Sequence, residues 1–181
     1  MSAAATPNPP SPTSGMPNAR EQFLDAYERE HAITMKVLRA FPPEKSELRP
    51  HPKSKTARDL AFIFALERRL GKKGLANEFA AGGGGTGFPT TPEKWEDVLS
   101  AIETAHAEFR DVFNSYTDEQ LAEPIKFFGG PRQLIDVPRL AFAWFLVHDQ
   151  IHHRGQMSIY LRMADAKVPS IYGPTADEPW T

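Results

Sequence analysis

The stretch from Leu146 to Tyr160 reads Leu-Val-His-Asp-Gln-Ile-His-His-Arg-Gly-Gln-Met-Ser-Ile-Tyr and holds three of the chain's six histidines. Two pairs within it have i,i+4 spacing: His148 with His152, and Asp149 with His153. On an α-helix, residues four apart project from one face, so two side chains of one helix can bind the same metal ion. Imidazole and carboxylate suit divalent first-row ions such as Zn, Ni, Fe or Mn. We therefore predict a metal site on this helix.

The two pairs do not point the same way. At about 100° per residue, their mean directions differ by about 100°, so one pair at most faces the centre of a bundle. The surrounding residues leave the choice open, because Asp149 and His152 both fall near the middle of the face and His148 and His153 on its flanks. In the plainest alternative, hydrogen bonds satisfy all of these side chains and no metal binds.

The residues before this stretch predict where the helix lies. The segment 140–147 is apolar almost all round, which is typical of a helix at the centre of a bundle or at a subunit contact. We expect Asp136 to cap this helix, Pro138 to lie in its first turn, and the helix to reach about Ala164.

Three more amphipathic helices precede it. The i, i+3, i+4 pattern predicts the first over 18–40, ending at Pro42. The second follows a cap at Ser54 or Thr56 and ends near Leu70, with Gly71 as the stop. The third begins at the cap Thr91. Together they predict an all-α fold, a four-helix bundle with long loops, in which residues 117–121 form a short helical turn and 123–135 a small hairpin or an extended arm.

Two further candidate ligands lie on the first two helices. His31 falls on the apolar stripe of the first helix, and Glu67 falls among Leu and Ile on the second. A buried carboxylate is costly unless it is paired, protonated or bound to metal. In an antiparallel pair, the two residues reach the same height at about 1.5 Å per residue. The alternatives are a neutral, hydrogen-bonded His31 and an edge position for Glu67 beside an arginine. We expect His106, beside the third stripe, to be a half-exposed structural histidine.

Composition narrows the class of protein. The formal net charge is −2, which does not indicate nucleic acid or an anionic membrane as a partner. The chain has no cysteine, no apolar run of about 18 residues and no signal-peptide pattern, so we expect a cytoplasmic protein. The composition of residues 1–17 predicts a disordered tail, and the length of 18–181 predicts a single domain. The glycines 82–85 lack a phosphate-loop lysine and predict a flexible surface loop.

Several motifs together resemble the DinB-like superfamily. They are His152-His153-Arg154-Gly155-Gln156, then Tyr160-Leu161-Arg162, then Val168-Pro169-Ser170-Ile171-Tyr172-Gly173, together with Glu30-His31 and Thr56-Ala57-Arg58-Asp59-Leu60. The resemblance implies a four-helix bundle, often a homodimer, that holds a divalent metal on three side chains.

By position, the resemblance implies Asp149 and His153 as ligands, with His148 and His152 as neighbours or alternates. The usual histidine of the second helix falls at about Ile63 here, which cannot bind metal. Glu67, one turn later, replaces it in our hypothesis. The predicted metal set is therefore His31, Glu67, Asp149 and His153.

Characterised relatives include thiol-dependent transferases and isomerases, so the resemblance implies an enzyme that activates a low-molecular-weight thiol or water against a small electrophile. Arg154 and Gln156 would orient the substrate, or Arg154 would pair on the surface. Two carboxylate ligands would weaken the metal as a Lewis acid. The alternatives are a non-catalytic metal- or ligand-binding stress-response bundle and a metal-free bundle whose polar network is structural.

Overall fold

The computed structural model describes residues 17–81, 89–131 and 133–180. The predicted tail, except for Pro17, and the predicted glycine loop 82–85 lie outside these ranges.

Four long helices and one hairpin make up the described chain. The long helices are α1 (Ala19–Arg39), α2 (Ala57–Leu75), α3 (Trp95–Asn114) and α5 (Arg139–Met163), and α4 (Asp118–Ala122) is short. Strands β1 (Pro124–Gly130) and β2 (Gln133–Pro138) pair antiparallel between α4 and α5. Short 3₁₀ helices occupy Pro43–Lys45 and Glu78–Ala81. The predicted bundle, short helix and hairpin are confirmed.

Helix α2 passes through the glycine that we expected to end it. A Cβ on Gly71 would lie 2.6 Å from Leu146 Cδ1, and one on Gly74 would overlap the ring of Phe142. Both glycines therefore allow close approach of α5, and the prediction that α2 stops at Gly71 was wrong.

Two predicted caps were also wrong. The Thr91 hydroxyl donates to Asp59 Oδ1 at 2.8 Å, and α3 begins later, after Lys94. Asp136 lies in β2 and pairs across the hairpin with Lys126 at 2.8 Å, so α5 begins only at Arg139. In both places a tertiary contact takes the side chain that the local pattern assigned to a helix end.

The core is divided into two apolar halves. One joins the C-terminal parts of α1 and α5 to the N-terminal parts of α2 and α3, and the other joins their opposite ends and the hairpin. Helices α1 and α5 therefore run one way and α2 and α3 the other. Between the halves lies a layer of polar side chains, which includes Glu30, Glu67, Arg68, Gln150 and Arg154.

The main packing partners of α1 are α5 and α3, whereas α2 packs against α3 and α5. Helices α1 and α2 thus face each other diagonally across the polar layer. In the described ranges, no helix combines the length and the apolar character needed to cross a membrane.

Candidate metal centre

Three side chains in the polar layer bring possible metal ligands together. Ligand atoms of Glu67, Asp149 and His153 all lie within 4.8 Å of one another. His153 Nε2 is 3.0 Å from Glu67 Oε1 and 3.8 Å from Asp149 Oδ1. The i,i+4 spacing places Asp149 and His153 on one face of α5, and the contact between α2 and α5 places Glu67 opposite them.

The surroundings of Glu67 oppose its negative charge. Burial, together with the charge of Asp149, raises the pKa of Glu67 to about 7, even though His153 acts in the other direction. The hydrogen bond to Glu67 in turn raises the pKa of His153 above its usual value, against the effect of burial. The raised pKa values of both groups therefore favour a proton in the hydrogen bond between them near neutral pH.

One oxygen of Glu67 has no partner. Oε2 is buried and forms no hydrogen bond among the described residues. A buried carboxylate oxygen without a donor is costly, and a cation in place of the shared proton would satisfy it. One imidazole nitrogen and two carboxylates suit a divalent first-row ion, and the two negative charges would balance it. The residues present thus fit a metal.

Gln156 determines which nitrogen of His153 faces this group. Its Oε1 lies 3.1 Å from His153 Nδ1, and its Nε2 lies 3.0 Å from His152 Nε2. With Nδ1–H donating to the amide oxygen, Nε2 is left to face Glu67 and Asp149, as a metal ligand requires. Gln156 also lines a cavity, so its role in orienting substrate stays a prediction beside the observed contact with the imidazole.

The other predicted residues of α5 lie outside the group. His148 and His152 are exposed. His148 stacks on Trp144 with ring centroids 6.0 Å apart, and His152 accepts the hydrogen bond from Gln156. The structure thus brings together the Asp149–His153 pair and leaves the His148–His152 pair at the surface.

His31 does not join the three residues. Its Nδ1 lies 3.3 Å from the Arg68 guanidinium, and its ring stacks on His106 with centroids 3.7 Å apart. Burial and the Arg68 charge lower the pKa of His31 to about 3. His31 lies beside Arg68, the neighbour of Glu67 in the sequence, because α1 and α2 are diagonal and the Arg68 guanidinium occupies the space between them.

Two other expectations were wrong because the side chains are buried. His106 is 4% exposed, lies between the rings of Tyr27 and His31, and pairs with Glu28 at 3.0 Å. Arg154 is 1% exposed and pairs with Glu30 at 2.7 Å, so it neither reaches the surface nor meets the metal group.

Cavities open on two sides of the group. One of about 410 Å³ is lined by His153 and Gln156 together with Ser54, Lys55 and Tyr160. Another of about 360 Å³ is lined by Glu67 and Asp149 together with phenylalanines of α5 and the hairpin. Small molecules therefore have access to the group from either side.

Arg68 and Gln150 also belong to the polar layer, although neither was among the residues predicted from the sequence. Arg68 is 1% exposed and donates to Phe64 O at 3.0 Å and to Gln150 Oε1 at 2.8 Å. One sequence feature could have predicted them. Arg68 and Gln150 each directly follow a candidate ligand, on helices that otherwise bury apolar faces.

Comparison with known proteins agrees with this architecture. Uncharacterized protein YrdA of Bacillus subtilis (strain 168) is 27% identical over 158 residues, which cover 87% of this chain and 90% of that protein. A solved DinB-like protein from Bacillus cereus ATCC 10987 is 25% identical with a TM-score of 0.71, covering 84% of this chain and 97% of that one.

A third relative shows the fold alone. YfiT from Bacillus subtilis, described as a probable metal-dependent hydrolase with a four-helix bundle, is 13% identical with a TM-score of 0.53, and the match covers 84% of this chain and 93% of that one. The family model of the DinB family matches residues 89–180, which include α3, the hairpin, α5 and two of the three candidate ligands. This chain therefore belongs to the DinB family.

Proposed function

We propose that this protein is a metal-dependent enzyme that activates water or a low-molecular-weight thiol against a small electrophile, as a hydrolase or a transferase. The observation that carries the proposal is the unpartnered, buried Oε2 of Glu67 within a His–Asp–Glu group that borders two cavities. The description of YfiT as a probable metal-dependent hydrolase supports the same class of activity.

Each residue has a separate task in this proposal. Glu67, Asp149 and His153 would hold the ion, and Gln156 would keep Nε2 of His153 directed at it. A bound divalent ion lowers the pKa of water or of a thiol and so supplies a nucleophile near pH 7. Lys55 and Tyr160, in the wall of the larger cavity, would bind polar parts of a reactant.

One observation favours a non-catalytic metal-binding module instead. Two carboxylates and a neutral imidazole would cancel the charge of a divalent ion, which weakens its effect on a bound nucleophile. The three protein ligands and the two adjoining cavities favour an enzyme, because a structural ion is usually coordinated by four protein groups.

The test is the metal content of the purified, tag-free protein after incubation with Zn²⁺, Ni²⁺, Fe²⁺ or Mn²⁺ and removal of excess ion. We expect about one equivalent in the wild type and in the control His148→Ala, which changes an exposed histidine of the same helix. Glu67→Gln and His153→Ala should each lose the ion. Equal metal content in all four proteins would contradict the proposed ligands.

Hydrolysis and thiol transfer are then separated with one electrophile, an aryl ester. Turnover by the metal-loaded protein in buffer alone indicates a hydrolase, and turnover that requires added thiol indicates a transferase. A metal-loaded protein without turnover under either condition favours the non-catalytic module.

A further inference from the structure

The cavity lined by Glu67 has mostly aromatic walls, unlike the cavity lined by His153. Its volume is about 360 Å³, and five of its nine lining residues are phenylalanines: Phe79, Phe127, Phe128, Phe142 and Phe145. Among the described residues that line it, Glu67 and Asp149 are the polar ones. An apolar pocket of this size with a few convergent polar groups is the usual form of a small-molecule site.

The aromatic walls are held in place by the fold. Phe127 packs against Phe142 with ring centroids 4.8 Å apart and against Phe145 at 5.3 Å. The hairpin that carries Phe127 is tied to the end of α2, because Lys126 N donates to Asn77 Oδ1 at 2.7 Å. The cavity is therefore a built feature of the packing between the hairpin and α5.

Two of these rings remain accessible at the cavity. Phe128 is 52% exposed and Phe145 is 46% exposed, which is high for phenylalanine in a folded domain. A planar aromatic ring between them would gain edge-to-face or stacked contacts as well as apolar burial. An aliphatic ring of similar size would gain the burial alone.

The carboxylates select the charge of the ligand. The carboxyl groups of Glu67 and Asp149 offer an anion no positive partner in this cavity, and with a divalent ion the charges of the group cancel. The unpartnered Oε2 of Glu67 would accept a hydrogen bond from an N–H of the ligand in the metal-free protein. Each consideration favours an uncharged head group over a carboxylate.

We propose that this cavity is a substrate subsite for the aromatic ring of a small uncharged molecule, an aryl amide, with Phe128 and Phe145 as specificity-determining residues. Its identity as a substrate subsite rests on the proposed function, whereas ligand binding itself does not. The second copy of the chain that we expected from the family resemblance would be the competing occupant of this apolar surface.

The test uses four probes and amide NMR titration of the metal-free protein. Benzamide carries the ring and an uncharged head; benzoate changes the charge, cyclohexanecarboxamide removes aromaticity, and acetamide removes the ring. We expect benzamide to bind with a Kd of about 1 mM, with shifts at Phe127, Phe145 and Glu67, and about fivefold tighter than the other three. Equal binding of benzamide and acetamide would overturn the proposal.

Variants locate the site. Phe128→Ala and Phe145→Ala should each weaken benzamide binding about fivefold, and Leu70→Trp should abolish it by filling the cavity. Leu134→Ala is the matched control, because Leu134 is 41% exposed on the same hairpin but does not line the cavity. If Leu70→Trp fails to fold, the two alanine variants decide alone.

Three outcomes separate this proposal from the previous one. Benzamide binding without any metal binding would retain the subsite and remove the enzyme mechanism. Metal binding without benzamide binding would remove the subsite and retain the metal centre. An unchanged benzamide Kd in Phe128→Ala and Phe145→Ala, with a change in oligomeric state by analytical ultracentrifugation, would assign this surface to a second copy of the chain.

Discussion

Two neighbouring residues of α5, His153 and Arg154, enter two different polar clusters of the same layer. Arg154 donates to Glu30 Oε2 at 2.7 Å, and Tyr172 donates to the same oxygen at 2.5 Å. Arg154 also donates to the backbone oxygen of Glu30 at 3.1 Å. In the cluster of His153, by contrast, one oxygen of Glu67 pairs with His153 and the other has no donor among the described residues.

The pKa values of the two buried carboxyl groups, Glu30 and Glu67, are shifted in opposite directions. Burial alone would raise the pKa of Glu30, but hydrogen bonds from Tyr172 and Arg154 and the Arg154 charge lower it. Glu67 has only the hydrogen bond to His153 on one of its oxygens, and burial outweighs it and raises the pKa to about 7. A complete set of partners thus makes the Glu30 cluster a structural link between α1, α5 and the C-terminal segment, whereas the incomplete set at Glu67 leaves room for a ligand.

The largest expected effect is a loss of folding stability when the cluster of Glu30 and Arg154 is broken. Arg154→Met leaves Glu30 buried beside the exposed Arg29, so unfolding in urea should show a loss of about 3–5 kcal/mol of stability. The control is Arg162→Met on the same helix, whose partner Asp177 lies at the surface and whose loss should cost under about 1 kcal/mol. Similar losses in both variants would remove the distinction between the clusters.

The second effect is on pH dependence in EDTA-treated protein. Between its usual pKa of 4.5 and its folded pKa of about 7, Glu67 binds more proton in the folded state than in the unfolded one. The contribution of Glu67 to stability should therefore fall by up to about 3 kcal/mol as pH rises through this range. The raised pKa of His153 acts in the same direction as pH rises through 6.5 and beyond. The lowered pKa values of His31 and His106 act in the opposite direction below about pH 6.5.

The matched variants sharpen this contrast. Relative to Glu67→Gln, the wild type should lose stability as pH rises from 4.5 to 7, as measured by urea unfolding of both proteins at several pH values. The lowered pKa of Glu30 gives the opposite sign, since its stabilisation is lost as pH falls below 4.5. A difference in stability between the wild type and Glu67→Gln that stays constant from pH 4.5 to 7 would contradict the assignment at Glu67.

A smaller effect is expected at the residue that orients His153. Gln156→Ala removes the acceptor of Nδ1–H, and metal affinity should fall about 10- to 100-fold by calorimetric titration. Gln156→Glu, which keeps an acceptor, should retain most of the affinity. The control Ser158→Ala changes a hydroxyl on the same helix that donates to Arg154 O. Equal metal Kd values in all of these proteins would leave Gln156 without the positioning role.

The smallest effect concerns the C-terminal segment. Tyr172→Phe removes one donor to Glu30 but leaves the Arg154 pair, so stability should fall by about 1 kcal/mol. Metal affinity should stay the same, because the two clusters share no hydrogen bond among the described contacts. A change in metal affinity with unchanged stability would show that the clusters act as one unit.

The sequence by itself determined the four helices and the shared face of Asp149 and His153, two of the three candidate ligands. For residues 123–135 it left a hairpin and an extended arm as alternatives. Apolar periodicity encodes helix position locally, and i,i+4 spacing fixes Asp149 and His153 on one face whatever surrounds them. Glu67 was also within reach of the sequence, because a carboxylate in an apolar stripe requires a partner. Helix ends were less accurate, since Gly71 and Asp136 serve contacts between elements and not local caps.

Only the tertiary structure decided which buried polar groups are satisfied. The height of His31 was correct, but the diagonal arrangement of α1 and α2 placed Arg68 against it and left it outside the metal group. Arg154 and His153 look alike in the sequence as charged neighbours, yet a rotation of about 100° directs one to Glu30 and the other to Glu67. The packing of the helices decides which partner each side chain meets, and the spacing of residues within one helix does not predict that partner.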